Sequence, residues 1–219
     1  MRTRPAGRAV SKVTPPGVLA TVVCLSLSAL SFGGNAASAL TLLPSCGTRD
    51  TARTFAPWND ASSYFPMANG GFESGSDGWN VAGDAAVVPG NESYFVAGAT
   101  DSHSLAIANN GRATSPTTCV AAGENSVRLF VKSSGSGVSA LHVQAFVRNQ
   151  LTGLVLSTAF DIDATDATRE WVPTDVLVVP NLLGGLAGVQ SLTLVFTARG
   201  ASTASWNLDD VYVDPFKLR

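Results

Sequence analysis

Two adjacent carboxylates, Asp209 and Asp210, stand within residues 204–213, a segment that is otherwise apolar and typical of a β-strand. Carboxylates of this kind can bind a hard cation such as calcium or accept hydrogen bonds from backbone amides. Neither group can lie unpaired in an apolar core without a large loss of solvation. The strand must therefore turn the pair toward a partner, and its geometry decides which chemistry is open to the two groups.

The apolar residues on either side of this pair are out of phase with each other. Trp206 and Leu208 share one face of a strand, because side chains in a strand alternate with a period of two. Val211 and Val213 would fall on the opposite face. A slip of one residue predicts a β-bulge at the aspartates, and a bulge can re-aim a side chain.

The two histidines offer little support for catalysis. His103 follows Asp101 and Ser102, but no nucleophile motif accompanies them. His142 has no cysteine or second histidine nearby, so zinc is not indicated. We interpret His103 as a hydrogen-bonded loop residue, and we predict no catalytic residues and no enzyme activity.

Residues 1–39 have the pattern of a secretory signal peptide. Four cations precede an apolar run from Val18 to Phe32, and the small residues Ala37–Ala39 fit a cleavage site. We therefore predict a mature start at Leu40 and secretion. Because the apolar run is short, no membrane span is expected in the mature form.

Removal of this leader changes the charge balance. The leader holds four of the 14 Lys and Arg residues and none of the 16 Asp and Glu residues, which leaves a net charge of about −6. No basic stripe remains to neutralise phosphates, so nucleic acid is not expected as a partner. The remaining chain of about 180 residues has the usual size of one domain, and we expect a monomer.

Two of the three cysteines remain after cleavage, because Cys24 lies in the leader. In an oxidising compartment pairing is the default, which predicts a disulfide between Cys46 and Cys119. The alternative is a lipid anchor at Cys46, which follows Leu43-Pro44-Ser45. That alternative would leave Cys119 as a free thiol.

Short apolar runs, separated by Gly, Asn, Asp, Ser and Pro, fill the rest of the chain without a helical period. Strict alternation, which predicts strands with one inward face, marks residues 127–131, 141–147, 154–160 and 192–196. Weaker strands are predicted at residues 85–88, 104–108, 117–120 and 176–179. A turn-like segment, 149–153, predicts a hairpin between residues 139–148 and 154–160.

About ten strands over this length favour an all-β fold, a two-sheet antiparallel β-sandwich of jelly-roll type. Little helix is expected outside the signal peptide. Residues 181–188 are predicted to form an apolar loop.

Three motifs resemble those of a known family. They are Asn69-Gly70-Gly71-Phe72-Glu73, then Gly78-Trp79, and finally Trp206-Asn207-Leu208-Asp209-Asp210-Val211. In order and spacing this set is similar to carbohydrate-binding-module-like jelly rolls, which share the galactose-binding-like architecture. The resemblance implies a jelly-roll domain over residues 67–215, preceded by an N-terminal extension, residues 40–66, that is tied by Cys46.

The resemblance also implies a structural calcium ion, because family members hold one with the opening glutamate and a closing aspartate. Carried over to this chain, the ligands would be Glu73 with Asp209 or Asp210, completed by backbone carbonyls. Gly70 and Gly71 would let such carbonyls approach closely. The alternative is that these carboxylates only accept hydrogen bonds from turn amides and hydroxyls.

The extension resembles a narrower group of secreted proteins from GC-rich Gram-positive bacteria. The resemblance includes a Cys-Gly near Cys46 and a Ser-Pro-x-x-Cys around Cys119, which strengthens the predicted disulfide. This resemblance does not indicate an activity.

Sugar-binding modules lay aromatic rings against the apolar faces of sugars. The aromatic candidates for this role include Trp58 and Tyr64, but Tyr94, Phe95 and Trp171 are expected to be better exposed. Trp79 and Trp206 are expected in the core. We predict a secreted, non-catalytic binding module for carbohydrate or cell-envelope glycan. The alternative is a structural or protein-interaction sandwich without a glycan groove. A polysaccharide-active enzyme would need two carboxylates across a groove.

Overall fold

The computed structural model describes residues 46–214 apart from residues 122, 125, 136–137, 165–168 and 181–188. The predicted signal peptide, the mature start at Leu40 and the predicted apolar loop at 181–188 lie outside the described residues. The described residues belong to a single compact unit. None of the helices in this part of the chain has the length and apolar character needed to cross a membrane.

The described residues form 13 strands and one short 3-10 helix (Ala56–Trp58). The first seven strands are β1 (Phe65–Pro66), β2 (Asn80–Ala82), β3 (Ala85–Pro89), β4 (His103–Ala108), β5 (Arg112–Thr114), β6 (Thr118–Val120) and β7 (Ser126–Ser133). The others are β8 (Ser139–Asn149), β9 (Val155–Asp163), β10 (Val172–Pro173), β11 (Leu177–Val178), β12 (Gln190–Gly200) and β13 (Ser205–Asp214).

These strands make two antiparallel sheets packed face to face. The seven-stranded sheet has the order β10-β7-β13-β4-β3, with β1 paired to β13 and β11 paired to β7. The six-stranded sheet has the order β2-β5-β12-β8-β9, with β6 paired to β12. The predicted all-β jelly-roll sandwich is therefore confirmed, with more strands than the ten expected from the sequence.

Period-two alternation places the core between the two sheets. In β7 the side chains of Val127, Leu129 and Val131 are fully buried, and they pack with the inward residues of β8 and β12. Trp79 and Trp206 lie in the same core, as predicted, and are 7% and 0% exposed. The packed inward faces supply the apolar burial that holds the sandwich together.

The predicted hairpin is confirmed, because β8 and β9 pair directly in antiparallel register. The prediction that its second strand buries one whole face is wrong. Leu154 is 50% exposed and Leu156 is 36% exposed, whereas Ile162 near the other end is buried. The physical reason is position: β9 is an edge strand, and only its last part faces the opposite sheet.

The predicted bulge is confirmed in β13. Its register against β7 shifts between Asp209 and Tyr212, and Asp210 adopts a left-handed backbone with φ 50°. The shift restores the inward phase, so that all four flanking apolar residues are fully buried, namely Trp206, Leu208, Val211 and Val213. The strand thus keeps both apolar sets in one core while it re-aims the acidic pair.

A second aromatic cluster covers the outer face of the seven-stranded sheet. Phe130 of β7 and Tyr212 of β13 point outward and pack against Phe55 and Tyr64 of the N-terminal extension. The Phe55 and Phe130 rings stack with centroids 5.4 Å apart. The extension is therefore an integral layer of the fold over its described residues.

The Cys46–Cys119 disulfide is confirmed, with the two Cα atoms 5.5 Å apart. Beside it, the Arg49 guanidinium pairs with Glu124 and donates to the carbonyl of Cys119. The same guanidinium carbon lies 4.1 Å from the centroid of the Phe65 ring. The start of the extension is thereby fastened to the β6 region.

Candidate functional site

Glu73, the opening carboxylate of the family motif, is held by the segment that enters β4. Its Oε1 accepts hydrogen bonds from the backbone amides of Ser102 and His103, each at 2.8 Å. Burial would raise the pKa of Glu73, but the hydrogen bonds from Ser102 and His103 outweigh it and the pKa is lowered. Glu73 is therefore an ionised acceptor that ties two loops together.

Ser102, His103 and Glu73 lie close together without forming a catalytic relay. Ser102 Oγ and Glu73 Oε2 both contact His103 Nδ1, each at 3.1 Å. In a catalytic triad the acid and the nucleophile contact opposite nitrogens of the ring. The arrangement is that of a hydrogen-bonded histidine, which stands at the first position of β4 and not in the loop expected from the sequence.

Asp209 and Asp210 diverge at the bulge. Asp209 Oδ2 accepts a hydrogen bond of 2.9 Å from the backbone amide of Glu92, and its Oδ1 accepts one of 2.9 Å from the amide of Asp210. The Asp210 carboxylate accepts a hydrogen bond from the backbone amide of Ala97. Its Oδ2 is buried and has no hydrogen-bond partner among the described residues.

Burial, with charge repulsion added, raises the pKa of both aspartates. The pKa of Asp209 rises to about 9, first because of burial and then because of the Asp210 charge. The pKa of Asp210 rises to about 7 because of burial and the nearby Glu92 and Asp101 carboxylates. The bulge therefore holds carboxyl groups whose ionised forms are disfavoured, and a bound cation would favour their ionisation.

Calcium was predicted at Glu73, Asp209 and Asp210, and the structure does not bring the three together as one ligand group. Among the residues described, no three His, Cys, Asp or Glu side chains are placed to hold one metal ion. The free Oδ2 of Asp210 nevertheless fits a ligand role. A Cβ on Gly71 would stand 2.9 Å from Asp210 Oδ1, so a glycine leaves room beside this carboxylate. The coordination shell of a calcium ion at this position would consist of Asp210 and backbone carbonyls.

The same two aspartates hold the ends of a surface loop, residues 92–97. Inside the loop, the Glu92 side chain is fully buried and accepts hydrogen bonds from the amides of Tyr94 and Val96. This arrangement leaves the side chains of Tyr94 and Phe95 outside, 45% and 49% exposed. The predicted pair is therefore exposed on a loop with a fixed backbone.

The expectation that Trp171 is exposed is wrong. Its side chain is 7% exposed and belongs to the outer aromatic cluster. The exposed neighbours Arg169 and Glu170 made an exposed ring plausible from the sequence, but Trp171 turns inward at the start of β10. It still adjoins the candidate site, since the Tyr94 hydroxyl donates to the Trp171 carbonyl at 3.1 Å.

Trp58 is among the aromatic candidates of the sequence, but it is not one of the three expected to be best exposed. It is half-buried at the end of the 3-10 helix, and its ring meets the Tyr94 ring edge to face, with centroids 4.8 Å apart. Trp58, Tyr94 and Phe95 together form what we call the aromatic surface. The contact between Trp58 and Tyr94 joins segments that are distant in sequence, so the local pattern did not predict it.

Trp58 also lines a cavity of about 450 Å³ whose lining combines apolar and charged side chains. Asp60, Arg128 and Asp175 contribute charged groups to the lining. Asp60 Oδ2 lies 2.8 Å from Arg128 Nη1 and 2.5 Å from the Tyr64 hydroxyl, which donates to it. Burial would raise the pKa of Asp60, but the hydrogen bonds from Tyr64, Ser62 and Arg128 lower it to about 2.

No protein-family model matches this chain, and no curated protein matches it by sequence. Solved structures with similar folds include TmCBM61 in complex with β-1,4-galactotriose, at 17% identity and a TM-score of 0.44, covering 67% of this chain and 95% of that one. A second is the CBM22-1 xylan-binding domain from Paenibacillus barcinonensis Xyn10C, at 17% identity and a TM-score of 0.38, covering 68% and 93%.

A third is the CBM22-1 and GH10 modules of the Clostridium thermocellum endo-1,4-β-D-xylanase 10B complexed with xylohexaose, at 19% identity and a TM-score of 0.44. This chain is matched over 68% of its length but spans only 28% of that xylanase chain. Since every one of these TM-scores is below 0.5, the function of this chain has to follow from its own residues.

Proposed function

We propose that the protein is a secreted, non-catalytic module that binds carbohydrate or cell-envelope glycan. One observation carries this proposal: the aromatic surface adjoins, through Trp58, a cavity of about 450 Å³ whose lining includes charged groups. Sugars present apolar ring faces and outward hydroxyls, so a site for them combines aromatic rings with a few charged or amide groups.

The rigidity of this surface supports a binding role. Glu92 fixes the backbone of the loop that carries Tyr94 and Phe95, and Asp209 holds the Glu92 amide. Trp58 is held from the other side, because its ring also packs on Phe130 with centroids 5.4 Å apart. A ligand would therefore meet rings that are already in place, which lowers the entropy cost of binding.

Truncation of the aromatic surface tests the proposal. Glycan-array screening would first find a ligand, and calorimetry would then compare the wild type with the Trp58→Ala and Tyr94→Ala variants. We expect each variant to weaken binding by about tenfold, because each removes a ring face that stacks on sugar. Leu151→Ala is the matched control, since Leu151 is 76% exposed on the β8–β9 hairpin and should not matter. Unchanged affinity in both aromatic variants would refute this choice of site.

A protein-interaction role is the second candidate, and the β8–β9 hairpin favours it. Four apolar side chains at this hairpin are substantially exposed, namely Leu151, Leu154, Val155 and Leu156. Exposed apolar patches often mark protein contacts. This candidate gains if no glycan binds and if replacing hairpin residues by serine abolishes capture of a partner protein.

Secretion is part of the proposal, supported by the leader pattern of residues 1–39 and by the disulfide. The disulfide uses the Cys46 thiol that a lipid anchor would require. The kinship of the extension with secreted proteins of GC-rich Gram-positive bacteria stays a prediction.

We also infer that one calcium ion binds near the bulge, with Asp210 as its main side-chain ligand. Asp209 and Glu73 are engaged in hydrogen bonds to backbone amides and would shape the site from outside the shell. The buried Asp210 Oδ2, which lacks a partner among the described residues, supports this inference. A bound cation would neutralise the acidic cluster and stabilise the loop above it.

A further inference from the structure

A second cavity, of about 490 Å³, opens at the end of β7 near Trp171. Two cationic side chains and several hydroxyl groups line it, namely Lys132, Arg169, Ser133, Ser134, Thr203 and Ser205. The Lys132 ammonium lies 4.9 Å from the centre of the Trp171 ring, which places it on the outer side of the sheet. This composition is that of a site for a negatively charged oxygen group.

Among the described residues, the two cations of this cavity lack a carboxylate partner. No described acidic residue lines the cavity, and Glu170, the neighbour of Arg169 in sequence, is exposed. Within the described part of the chain, no carboxylate lies within ion-pair distance of Lys132 or Arg169. The predicted net charge of the mature chain is about −6, so a cavity lined by two cations and by no described carboxylate differs from the chain as a whole.

The hydroxyl wall of the cavity is fixed by backbone contacts. The amides of Ser134 and Gly135 both donate to the carbonyl of Ser205, at 2.8 and 3.0 Å, and Ser134 Oγ donates to Ser205 Oγ at 3.1 Å. A Cβ on Gly135 would lie 2.5 Å from Ser205 N, so the two segments touch. These contacts hold hydroxyl groups in the wall of the cavity that Lys132 and Arg169 also line.

Strand β7 connects this cavity to the aromatic surface. Arg128, Phe130 and Lys132 alternate on the outer face of β7, so Arg128 and Lys132 are separated along the strand by about 13 Å. Phe130, between them, contacts the rings of Trp58 and Tyr94. A short oligosaccharide spans a distance of this size.

We propose that the cavity of Lys132 and Arg169 binds an oxyanion group, a phosphate, sulfate or carboxylate, carried by the glycan that lies on the aromatic surface. The glycan part of this inference rests on the proposed function. The overall negative charge disfavours densely charged polyanions, whereas one anionic group needs only these two cations and the hydroxyls. The expected ligand is therefore a glycan with isolated anionic substituents.

Calorimetry with matched glycan pairs tests the inference on the purified protein. The pairs are trigalacturonate against its methyl ester, and mannotriose 6-phosphate against mannotriose. We expect the anionic member of at least one pair to bind about tenfold more tightly than its neutral partner. The Lys132→Gln/Arg169→Gln variant should lose this preference and keep its affinity for the neutral sugar. The single Arg169→Gln variant, changed at an exposed side chain, should lose part of the preference if the double variant folds poorly.

The control is Arg112→Gln/Arg148→Gln, which removes two exposed cations from the six-stranded sheet and changes the net charge equally. It should keep the preference. The proposal is overturned if the control loses the preference as much as the Lys132→Gln/Arg169→Gln variant does, or if the wild type binds sugars without any preference for the anionic member.

Failure of the proposed function gives a different result, in which no member of either pair binds. A titration with inorganic phosphate, followed by NMR, then decides the anion site alone. Shifts confined to the amides of Ser133, Ser134 and Ser205, and absent in the Lys132→Gln/Arg169→Gln variant, support an oxyanion site. Absence of such shifts overturns it.

Discussion

Asp210 combines three features that are rarely found in one residue. It has a left-handed backbone, its carboxylate is buried, and one of its oxygens has no hydrogen-bond partner among the described residues. Strain and an unpaired buried polar atom both cost free energy, so the residue is expected to serve something other than stability alone. We propose calcium binding as the role that accounts for the free oxygen.

Replacement of Asp210 by asparagine is expected to affect the melting temperature differently without and with calcium. In EDTA, Asp210→Asn should melt at the same temperature as the wild type or higher, because repulsion with Glu92, Asp101 and Asp209 is removed. With millimolar calcium the wild type should melt several degrees higher than in EDTA, and the variant should not respond. Differential scanning calorimetry measures both effects.

Asp77→Asn is the control for this experiment, since Asp77 is exposed and lies away from the bulge in β13. It should respond to calcium like the wild type. If wild-type protein shows no calcium-dependent shift, and the purified protein contains no metal, the ion has no place at the bulge.

At the residue scale, the sequence predicted the bulge because a phase slip is visible in the alternation of apolar residues. It did not predict that Glu92 would be fully buried, because a Glu within Asn91-Glu92-Ser93 has the composition of a solvated turn. The Glu92 side chain accepts hydrogen bonds from two amides of its own loop, and the Glu92 backbone amide donates to Asp209. Asp209 lies 117 residues away in sequence, so this contact leaves no local signature.

An ion pair between Asp60 and Arg128 attaches the N-terminal extension to the seven-stranded sheet. Asp60 lies in the extension, and it accepts hydrogen bonds from Tyr64 of the same segment and from Arg128 of β7. The Arg128 guanidinium carbon also lies 4.3 Å from the centre of the Phe55 ring. Charge and cation–π contacts therefore act together where the extension meets the sheet.

Acid should weaken this attachment in a defined pH range. The pKa of Asp60 is lowered in the folded protein to about 2 from an ordinary value of 3.8, so its stabilisation is present above about pH 4 and is lost as the pH falls through about 2. Asp60→Asn should therefore destabilise the protein at pH 7 by on the order of 1 to 2 kcal/mol. Near pH 2 the difference from the wild type should shrink.

Urea denaturation at pH 7 and pH 2.5 measures this change. The exposed Asp77→Asn variant again provides the comparison, and it should differ little from the wild type at either pH. An equal loss of stability at both pH values in Asp60→Asn would show that shape, and not charge, is what the residue contributes.

At the element scale, alternation predicted the strands but not which faces stay open to solvent. The start of β9 and the ring of Trp171 were both assigned the wrong environment. The start of β9 is exposed because β9 lies at the edge of its sheet. The Trp171 ring is buried because it packs in the aromatic cluster of the extension. Both depend on how distant segments assemble, which a local pattern does not contain.

Across the whole molecule, two fastenings hold the extension against the sandwich. Cys46 is bonded to Cys119 at one end, and β1 pairs with β13 at the other. The aromatic residues between them close the outer face of the seven-stranded sheet. The candidate glycan site is built across this join, since Trp58 comes from the extension and Tyr94 from the sandwich.

Loss of the disulfide should reduce global stability without changing the fold. The bond spans 73 residues of sequence, and the chain-entropy model gives roughly 4 kcal/mol for a loop of this size. We expect urea denaturation of the Cys46→Ser/Cys119→Ser variant to show a lower midpoint and a free energy of unfolding reduced by about this amount. The wild type under reducing conditions should match it, and a change below about 1 kcal/mol would mean that the unfolded chain is already constrained.

The bulge in β13 has a consequence for how this chain can vary in length. Because one extra residue separates the two apolar pairs of the strand, removal of either Asp209 or Asp210 would restore strict alternation and leave Val211 and Val213 in phase with Trp206 and Leu208. Substitution at these positions alters charge and keeps the bulge, whereas a one-residue deletion would remove the bulge and leave the remaining aspartate on the outer face. Core packing of the strand is thus compatible with loss of one residue, but the arrangement of the acidic pair is not.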